Sequence, residues 1–171
     1  WHRITDTNTM SRTVVPNVLP VSGVADGIGL AFSDHQKAAC LAAVMASTLF
    51  DYIARQKIGG THLDQYHFEQ LAVPPPSAFG EEAAWSPKRA ISSWIWPRIT
   101  ELVFVSWELE PFARECGYGG PPFVWDDARR FSIRCELDAA FFHLYLGQEN
   151  NWITNGSRKF LAYFPTPRDA V

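Results

Sequence analysis

The spacing of apolar residues changes along the chain, from a period of two near the N-terminus to a helical period further on. Residues 3–7 alternate polar and apolar side chains, and residues 13–19 are β-branched and apolar around Pro16. Residues 27–32 form a third apolar run. These runs predict short strands, and Pro16 restricts the second one to a sheet edge or a bulge. We therefore expect a small N-terminal β-sheet region.

A long helix is predicted to follow the strands. Apolar residues recur at i, i+3, i+4 and i+7 over residues 41–53, a spacing that places them on one helical face. Ser33 with Gln36 three residues later matches a capping box at the start of this helix. The glycine pair at residues 59–60 predicts its end, and a shorter helical turn is expected over residues 63–71.

Helices separated by turns are predicted for the second half of the chain. Pro97 suits the first position of a helix, and Pro111 is expected to bend or restart that helix. Cys116 and Gly117 are expected to end it. Asp126 or Asp127 can cap the next helix, whose apolar face covers residues 133–144.

Strands first and helices afterwards, without βαβ alternation, predict an α+β fold. In this prediction residues 1–76 contain the strand-rich start, the long helix and a Gly-Gly-Thr-His loop, and residues 77–171 form a helical C-terminal region with long amphipathic helices. The boundary is placed at the stiff proline run that ends at residue 76.

Composition narrows the possible partners. The 171 residues carry 15 basic and 18 acidic side chains, a net charge of −3, which counts against an isolated nucleic-acid-binding module. Any DNA contact therefore needs a local basic patch.

No apolar stretch is long enough to cross a bilayer, and three cysteines without C-x-x-C spacing indicate reduced thiols, so we expect a cytoplasmic protein without a membrane partner. Seven tryptophans and twelve phenylalanines predict a bulky aromatic core or an apolar face that another domain covers.

The sequence lacks the patterns that carry catalysis or bind a metal. It has no glycine-rich dinucleotide or phosphate loop and no nucleophile elbow. The five histidines do not pair with cysteine or glutamate at the spacing of zinc ligands. We therefore expect no catalytic, metal-binding or cofactor-binding residue in this chain.

The segment over residues 55–66 combines side chains that could contact DNA. Its two cations suit phosphates, its two glycines let the backbone approach a surface closely, and its Thr, His and Gln side chains can read polar base edges. An arginine in the N-terminal segment could extend the same surface. The candidate contacts are Arg12, Arg55, Lys57, Gly59, Gly60, Thr61, His62 and Gln65.

A purely structural interpretation of the same segment is the more common outcome for such a pattern. Arg55 and Lys57 would complement the dipole of the helix, a glycine would cap its end, and Thr61 or Asp64 would cap the next helix. The pattern alone leaves both interpretations open.

Two long runs, RQKIGGTHL over residues 55–63 and CELDAAFFHLY over residues 135–145, resemble the C-terminal region of large bacterial restriction–modification and phage-defence methyltransferases. Those enzymes carry a TaqI-like specificity domain on a single chain. RTVVPNVLP over residues 12–20 resembles the family's R-T-x-I-x-x-x-x-P strand, and Asp64 stands where the family has Asn. The resemblance covers most of the chain, apart from residues 148–161, and implies a fragment truncated in its last helix.

This resemblance implies a role in the sequence-specific recognition of double-stranded DNA by an S-adenosylmethionine-dependent DNA adenine-N6 methyltransferase. The family's N-P-P-Y motif and cofactor loop lie upstream and are absent here, so the chain itself is expected to be no enzyme and to bind no S-adenosylmethionine. Its expected partners are double-stranded DNA and the methyltransferase domain of the same polypeptide.

Two alternatives remain open. Residues 97–171 could be structural and pack on the methyltransferase domain while specificity lies elsewhere, or the chain could recruit other defence proteins. A concave basic surface that joins Arg12 with Arg55 and Lys57 would favour DNA recognition, whereas a flat Trp-rich face would favour docking.

Overall fold

The computed structural model describes residues 12–19 and 34–146, which form helices joined by short connections. The α-helices are α1 (His35–Ala46), α2 (Thr48–Lys57), α3 (Gln65–Phe68), α4 (Ile91–Val103), α5 (Glu110–Glu115) and α6 (Asp127–Leu146), and short 3₁₀ helices cover Pro76–Gly80 and Trp107–Leu109.

The predicted α+β class is wrong for the part of the chain that the structure describes. Residues 12–19 and 34–146 contain no β-strand, and the one bridge given for them is an isolated antiparallel pair between Glu82 and Ala90. Residues 3–7 and 27–32, two of the three predicted strands, lie outside the described residues.

Residues 13–19, the one predicted strand that lies within the described residues, adopt no regular secondary structure. The amides of Thr13 and Val14 both donate to Oδ1 of Asp51 in α2, at 2.8 Å for Val14. Backbone amides that are buried need an acceptor, and here one buried carboxylate supplies it. A side chain of α2 therefore takes the place that a neighbouring strand would have.

The predicted long helix is interrupted at Ser47, where α1 ends and α2 begins. The Ser47 hydroxyl donates to the Val44 carbonyl at 2.7 Å and accepts the Phe50 amide at 3.2 Å, so it caps both helices. The start of α1 is capped by Asp34, whose Oδ1 accepts the Lys37 amide at 3.0 Å. Ser33, the predicted capping residue, lies outside the described residues.

Helix α4 begins at Ile91, six residues before the predicted Pro97, so Pro97 lies inside the helix. Proline has no N–H to give to the carbonyl of the residue four positions earlier. That carbonyl belongs to Ser93 and instead accepts Nε and Nη2 of Arg89, at 3.1 and 2.6 Å. The side chain of Arg89 therefore satisfies the acceptor that Pro97 leaves open.

The predicted end of α5 is confirmed. Gly117 has a φ of +86°, the left-handed conformation that glycine adopts without steric cost. The Tyr118 amide donates to the Ala113 carbonyl at 2.9 Å, and the Gly117 amide donates to the Arg114 carbonyl at 3.0 Å. These two bonds form the Schellman motif that closes a helix.

The predicted start and face of α6 are also confirmed. Oδ1 of Asp126 accepts the Arg129 amide at 2.9 Å and caps the helix. Ile133, Leu137 and Phe141 are buried along the predicted apolar face.

The main apolar core joins residues on both sides of the proline run that ends at residue 76. Helix α1 packs on α4, and α6 closes the core from another side. Large side chains at its centre include Phe50, Ile95, Ile133 and Phe141. No single helix of the described residues is long and apolar enough to cross a membrane, and α1 with α2 meets that test only as a pair bent by 68°.

Candidate nucleic-acid interface

Residues 59–62, the Gly-Gly-Thr-His loop, are exposed between α2 and α3. The residues on either side of the loop, Ile58 and Leu63, are buried. The Ile58 amide donates to the Ala54 carbonyl at 3.1 Å and so extends the hydrogen bonding of α2 by one residue. Two buried anchors thus hold the ends of the loop and present its four residues to the outside.

The fold does not require glycine at either position of this loop. Neither Gly59 nor Gly60 has a positive φ, and a Cβ atom added to either one would meet nothing within 4 Å. The predicted end of α2 at the glycine pair is confirmed, because the helix ends at Lys57 and Ile58 is its C-terminal capping residue. The glycine cap itself is wrong, since neither glycine has the left-handed backbone of such a cap. What the two glycines do provide is a main chain without side chains, which a ligand can approach closely.

Arg55 belongs to a buried ion pair. Its Nε donates to Oδ2 of Asp51 at 2.8 Å, while Oδ1 of Asp51 binds the amides of Thr13 and Val14. Asp51 is 5% exposed, and a carboxylate at that depth needs a cation and several donors. Arg55 therefore neutralises the Asp51 carboxylate, which holds the N-terminal segment, residues 12–19, against α2. Its side chain stays partly exposed, so it can still face a phosphate.

Arg12 is tied to two helices. Its Nη2 donates to Oδ2 of Asp138 in α6 at 2.8 Å, and its Nη1 donates to Oγ1 of Thr48. Asp138 also accepts the amide and the hydroxyl of Thr48, each at 2.6 Å. The carboxylate lies at the N-terminus of α2, where the helix dipole favours a negative charge.

The structure does not bring Arg12 to the Gly-Gly-Thr-His loop. Arg12 contacts Thr48, the first residue of α2, whereas Lys57 is the last. Nine residues of α-helix separate these ends by about 14 Å. Arg12 and Arg55 are linked instead through the N-terminal segment and Asp51. Of the three candidate cations, only Lys57 has no carboxylate partner among residues 12–19 and 34–146, and it is exposed.

The polar candidates cluster at and after the loop. Oγ1 of Thr61 lies 3.1 Å from Nδ1 of His62, and both residues are exposed. Nε2 of Gln65, in the first turn of α3, donates to Oε1 of Glu69 at 2.7 Å. Asp64 is the residue that precedes α3, as predicted, and its carbonyl accepts the amides of His67 and Phe68. Its side chain makes no capping hydrogen bond.

Tyr66 is an exposed aromatic side chain beside these residues, and the sequence pattern does not predict it as a candidate. It is 58% exposed, and its ring lies 3.9 Å from the ring of His67. An aromatic residue inside a run that also contains Leu63 and Phe68 looks like part of a core, so the sequence carried no signal of its exposure.

A second surface lies in the other half of the chain. The Phe123 amide donates to the Phe104 carbonyl at 2.8 Å, which brings two connecting segments together. Large apolar side chains around this bond are exposed, with Val124 at 92%. We call the following residues the tryptophan face: Val105, Trp107, Val124 and Trp125.

No protein-family model matches the chain, and neither a curated protein nor a solved structure matches it. The contacts described above are therefore the basis for assigning a function.

Proposed function

We propose that the chain is the target-recognition region of a DNA adenine-N6 methyltransferase and contacts double-stranded DNA through the Gly-Gly-Thr-His loop. The observation that carries this proposal is the loop itself. It is exposed, it is anchored by Ile58 and Leu63, and the fold has no conformational need for its glycines. Exposed glycines without a structural role are what a backbone in close contact with a ligand requires.

In this proposal Lys57, Thr61 and His62 contact different parts of the DNA. Lys57 binds a phosphate, because it is the candidate cation without a carboxylate partner among residues 12–19 and 34–146. Thr61 and His62 present a hydroxyl and a ring nitrogen to base edges. Arg55 and Arg12 mainly stabilise the fold rather than bind DNA directly, since their charges are already paired with Asp51 and Asp138.

The proposal gives a specific salt dependence. With few unpaired cations near the loop, binding of the chain to duplex DNA should be weak, with a log–log salt slope of only a few units at about 0.9 per neutralised phosphate. Lys57→Gln should weaken binding to all duplexes and lower the slope by about one unit. Fluorescence anisotropy with labelled duplexes at several salt concentrations measures both quantities.

A matched control is Lys88→Gln, which removes another exposed lysine and should leave the slope unchanged. His62→Ala should change which sequence is preferred, at about 1–3 kcal/mol per lost base contact. Equal binding by the chain and by the Lys57→Gln and His62→Ala variants would contradict the role of the loop.

In the parent enzyme, methylation would be carried out by a methyltransferase domain on the same polypeptide, with S-adenosylmethionine bound there. The proposal puts the protein in the cytoplasm, where bacterial DNA lies and where its free cysteines Cys40, Cys116 and Cys135 stay reduced. Mapping of genomic methylation in cells that carry the parent protein, with and without the Lys57→Gln change, tests the role in the cell.

A second candidate function is docking on the methyltransferase domain, with DNA specificity elsewhere. The observation in its favour is the tryptophan face, whose exposed apolar side chains lie on two segments joined by a backbone hydrogen bond. Exposed apolar patches mark protein interaction sites. Trp107→Ser with Val124→Ser should then reduce methylation by the parent while leaving DNA binding by the chain unchanged.

A further inference from the structure

The exposed face of the first half of α6 carries an acidic, an aromatic and a basic side chain in succession. Asp127, Phe131 and Arg134 follow one another at i, i+4 and i+7, which places them on one face of the helix. All three are exposed, and the Phe131 ring is 62% exposed. An acid, an aromatic ring and a base therefore lie in a row about 10 Å long.

The base of this row, Arg134, has no ion-pair partner in the part of the chain that the structure describes. Arg134 makes no ion pair with any residue of 12–19 or 34–146, and the carboxylate one turn further on, Asp138, is occupied by Arg12 and Thr48. Arg130 lies one turn before Arg134, and like charges at this spacing destabilise a helix. The pKa of Arg130 is lowered by burial and by Arg134, and Asp127 offsets part of this lowering. A carboxylate from outside the chain would relieve this repulsion.

The surroundings of the row are held in place. The guanidinium of Arg130 lies 3.7 Å from the centre of the Trp125 ring and donates through Nη1 to the Leu102 carbonyl at 2.8 Å. Nε1 of Trp125 donates to Oδ1 of Asp127 at 2.8 Å. Side chains that are already ordered lose little entropy when a partner binds.

We propose that two copies of this chain associate through this face, with their α6 helices antiparallel across a two-fold axis near Phe131. Asp127 lies four residues before Phe131 and Arg134 lies three residues after it. A two-fold axis there exchanges the two ends, so that Asp127 of each copy faces Arg134 of the other and the Phe131 rings meet at the centre. Such an isologous interface needs a surface that complements itself, and a row of acid, ring and base meets that requirement.

The charges on this face favour a second copy over other occupants. A nucleic acid could pair a phosphate with Arg134, but Asp126 and Asp127 at the other end of the row would repel its neighbouring phosphates. An anionic membrane surface would meet the same two carboxylates. In the two-fold arrangement each charge of the row finds its opposite, so no charged group of the row stays unpaired.

Sedimentation velocity of the chain without DNA tests the proposal independently of the proposed function. The wild-type chain should shift with concentration from the 19.3 kDa monomer toward a dimer. Asp127→Arg and Arg134→Asp, each alone, should sediment as monomers because like charges then face each other. An equimolar mixture of the two variants should restore the dimer, since each variant then offers the charge that the other lacks.

Two further variants separate the interface from folding. Phe131→Ser should abolish association, whereas Tyr52→Ser, which removes a ring with the same exposure on α2, should leave it unchanged. Circular dichroism confirms that each variant is folded. A wild-type chain that is monomeric at all concentrations, a mixture that does not associate, or a loss caused equally by Tyr52→Ser would overturn the proposal.

Discussion

Removal of the Asp51 carboxylate tests how the N-terminal segment is held against the helices. Asp51→Ala deprives the Thr13 and Val14 amides of their acceptor and leaves Arg55 without its carboxylate. A buried donor that is left unpaired costs about 1–3 kcal/mol, and removal of one partner of a buried ion pair costs about 3–5 kcal/mol. Because these contributions overlap and Arg55 is partly exposed, we expect the free energy of unfolding to fall by about 3–5 kcal/mol in total.

Urea denaturation followed by circular dichroism measures this change. Asp51→Asn keeps an oxygen acceptor without the charge, so it should cost less, about 1–3 kcal/mol. Asp34→Ala is the matched control, because it removes an exposed helix cap and should cost about 1 kcal/mol. Arg55→Gln combined with Asp51→Ala should cost less than the sum of the two single changes, since both remove the same interaction.

An Asp51→Ala variant whose stability lies within about 0.5 kcal/mol of wild type, the range of ordinary surface substitutions, would contradict this prediction. Such a result would mean that the N-terminal segment is held by other contacts and that the carboxylate can be hydrated without loss.

Three further predictions concern single elements. Gly59→Ala should leave the melting temperature unchanged, whereas Gly117→Ala should cost about 1–2 kcal/mol, because only the second position has a left-handed backbone. Arg89→Ala should cost up to about 1 kcal/mol by urea denaturation, and this cost should vanish once the proline of α4 is replaced with alanine, which restores the missing donor. Burial raises the pKa of Cys40 and Cys116 to about 11. Because the folded state then holds these protons more tightly than the unfolded state, stability should fall as pH rises from 9 toward 11. Mass spectrometry after iodoacetamide treatment of the folded chain at pH 8 should find neither thiol modified, and rapid alkylation of either one would contradict their burial.

The sequence by itself determined the elements whose signals are local. The Asp126 cap of α6, its apolar face through Ile133 and Phe141, and the Gly117 end of α5 were all predicted and are present. A capping bond spans three or four residues, and a glycine with positive φ is needed wherever the turn occurs. Such features depend on neighbours in the sequence, so the pattern is sufficient to find them.

The tertiary structure alone decided the features that depend on distant partners. Residues 13–19 have the composition of a strand, but the amides of Thr13 and Val14 bind a carboxylate 38 and 37 positions away in sequence. Pro97 lies inside α4, where the side chain of Arg89 satisfies the carbonyl that the proline leaves open. The tertiary structure also decided which cationic side chains are paired with a carboxylate. Arg12 and Arg55 looked like free cations until Asp138 and Asp51 were placed beside them, whereas Lys57 and Arg134 have no carboxylate partner among the described residues. Whether a cation is available to a ligand depends on which carboxylates the fold brings within a few ångströms, and no spacing along the chain contains that information.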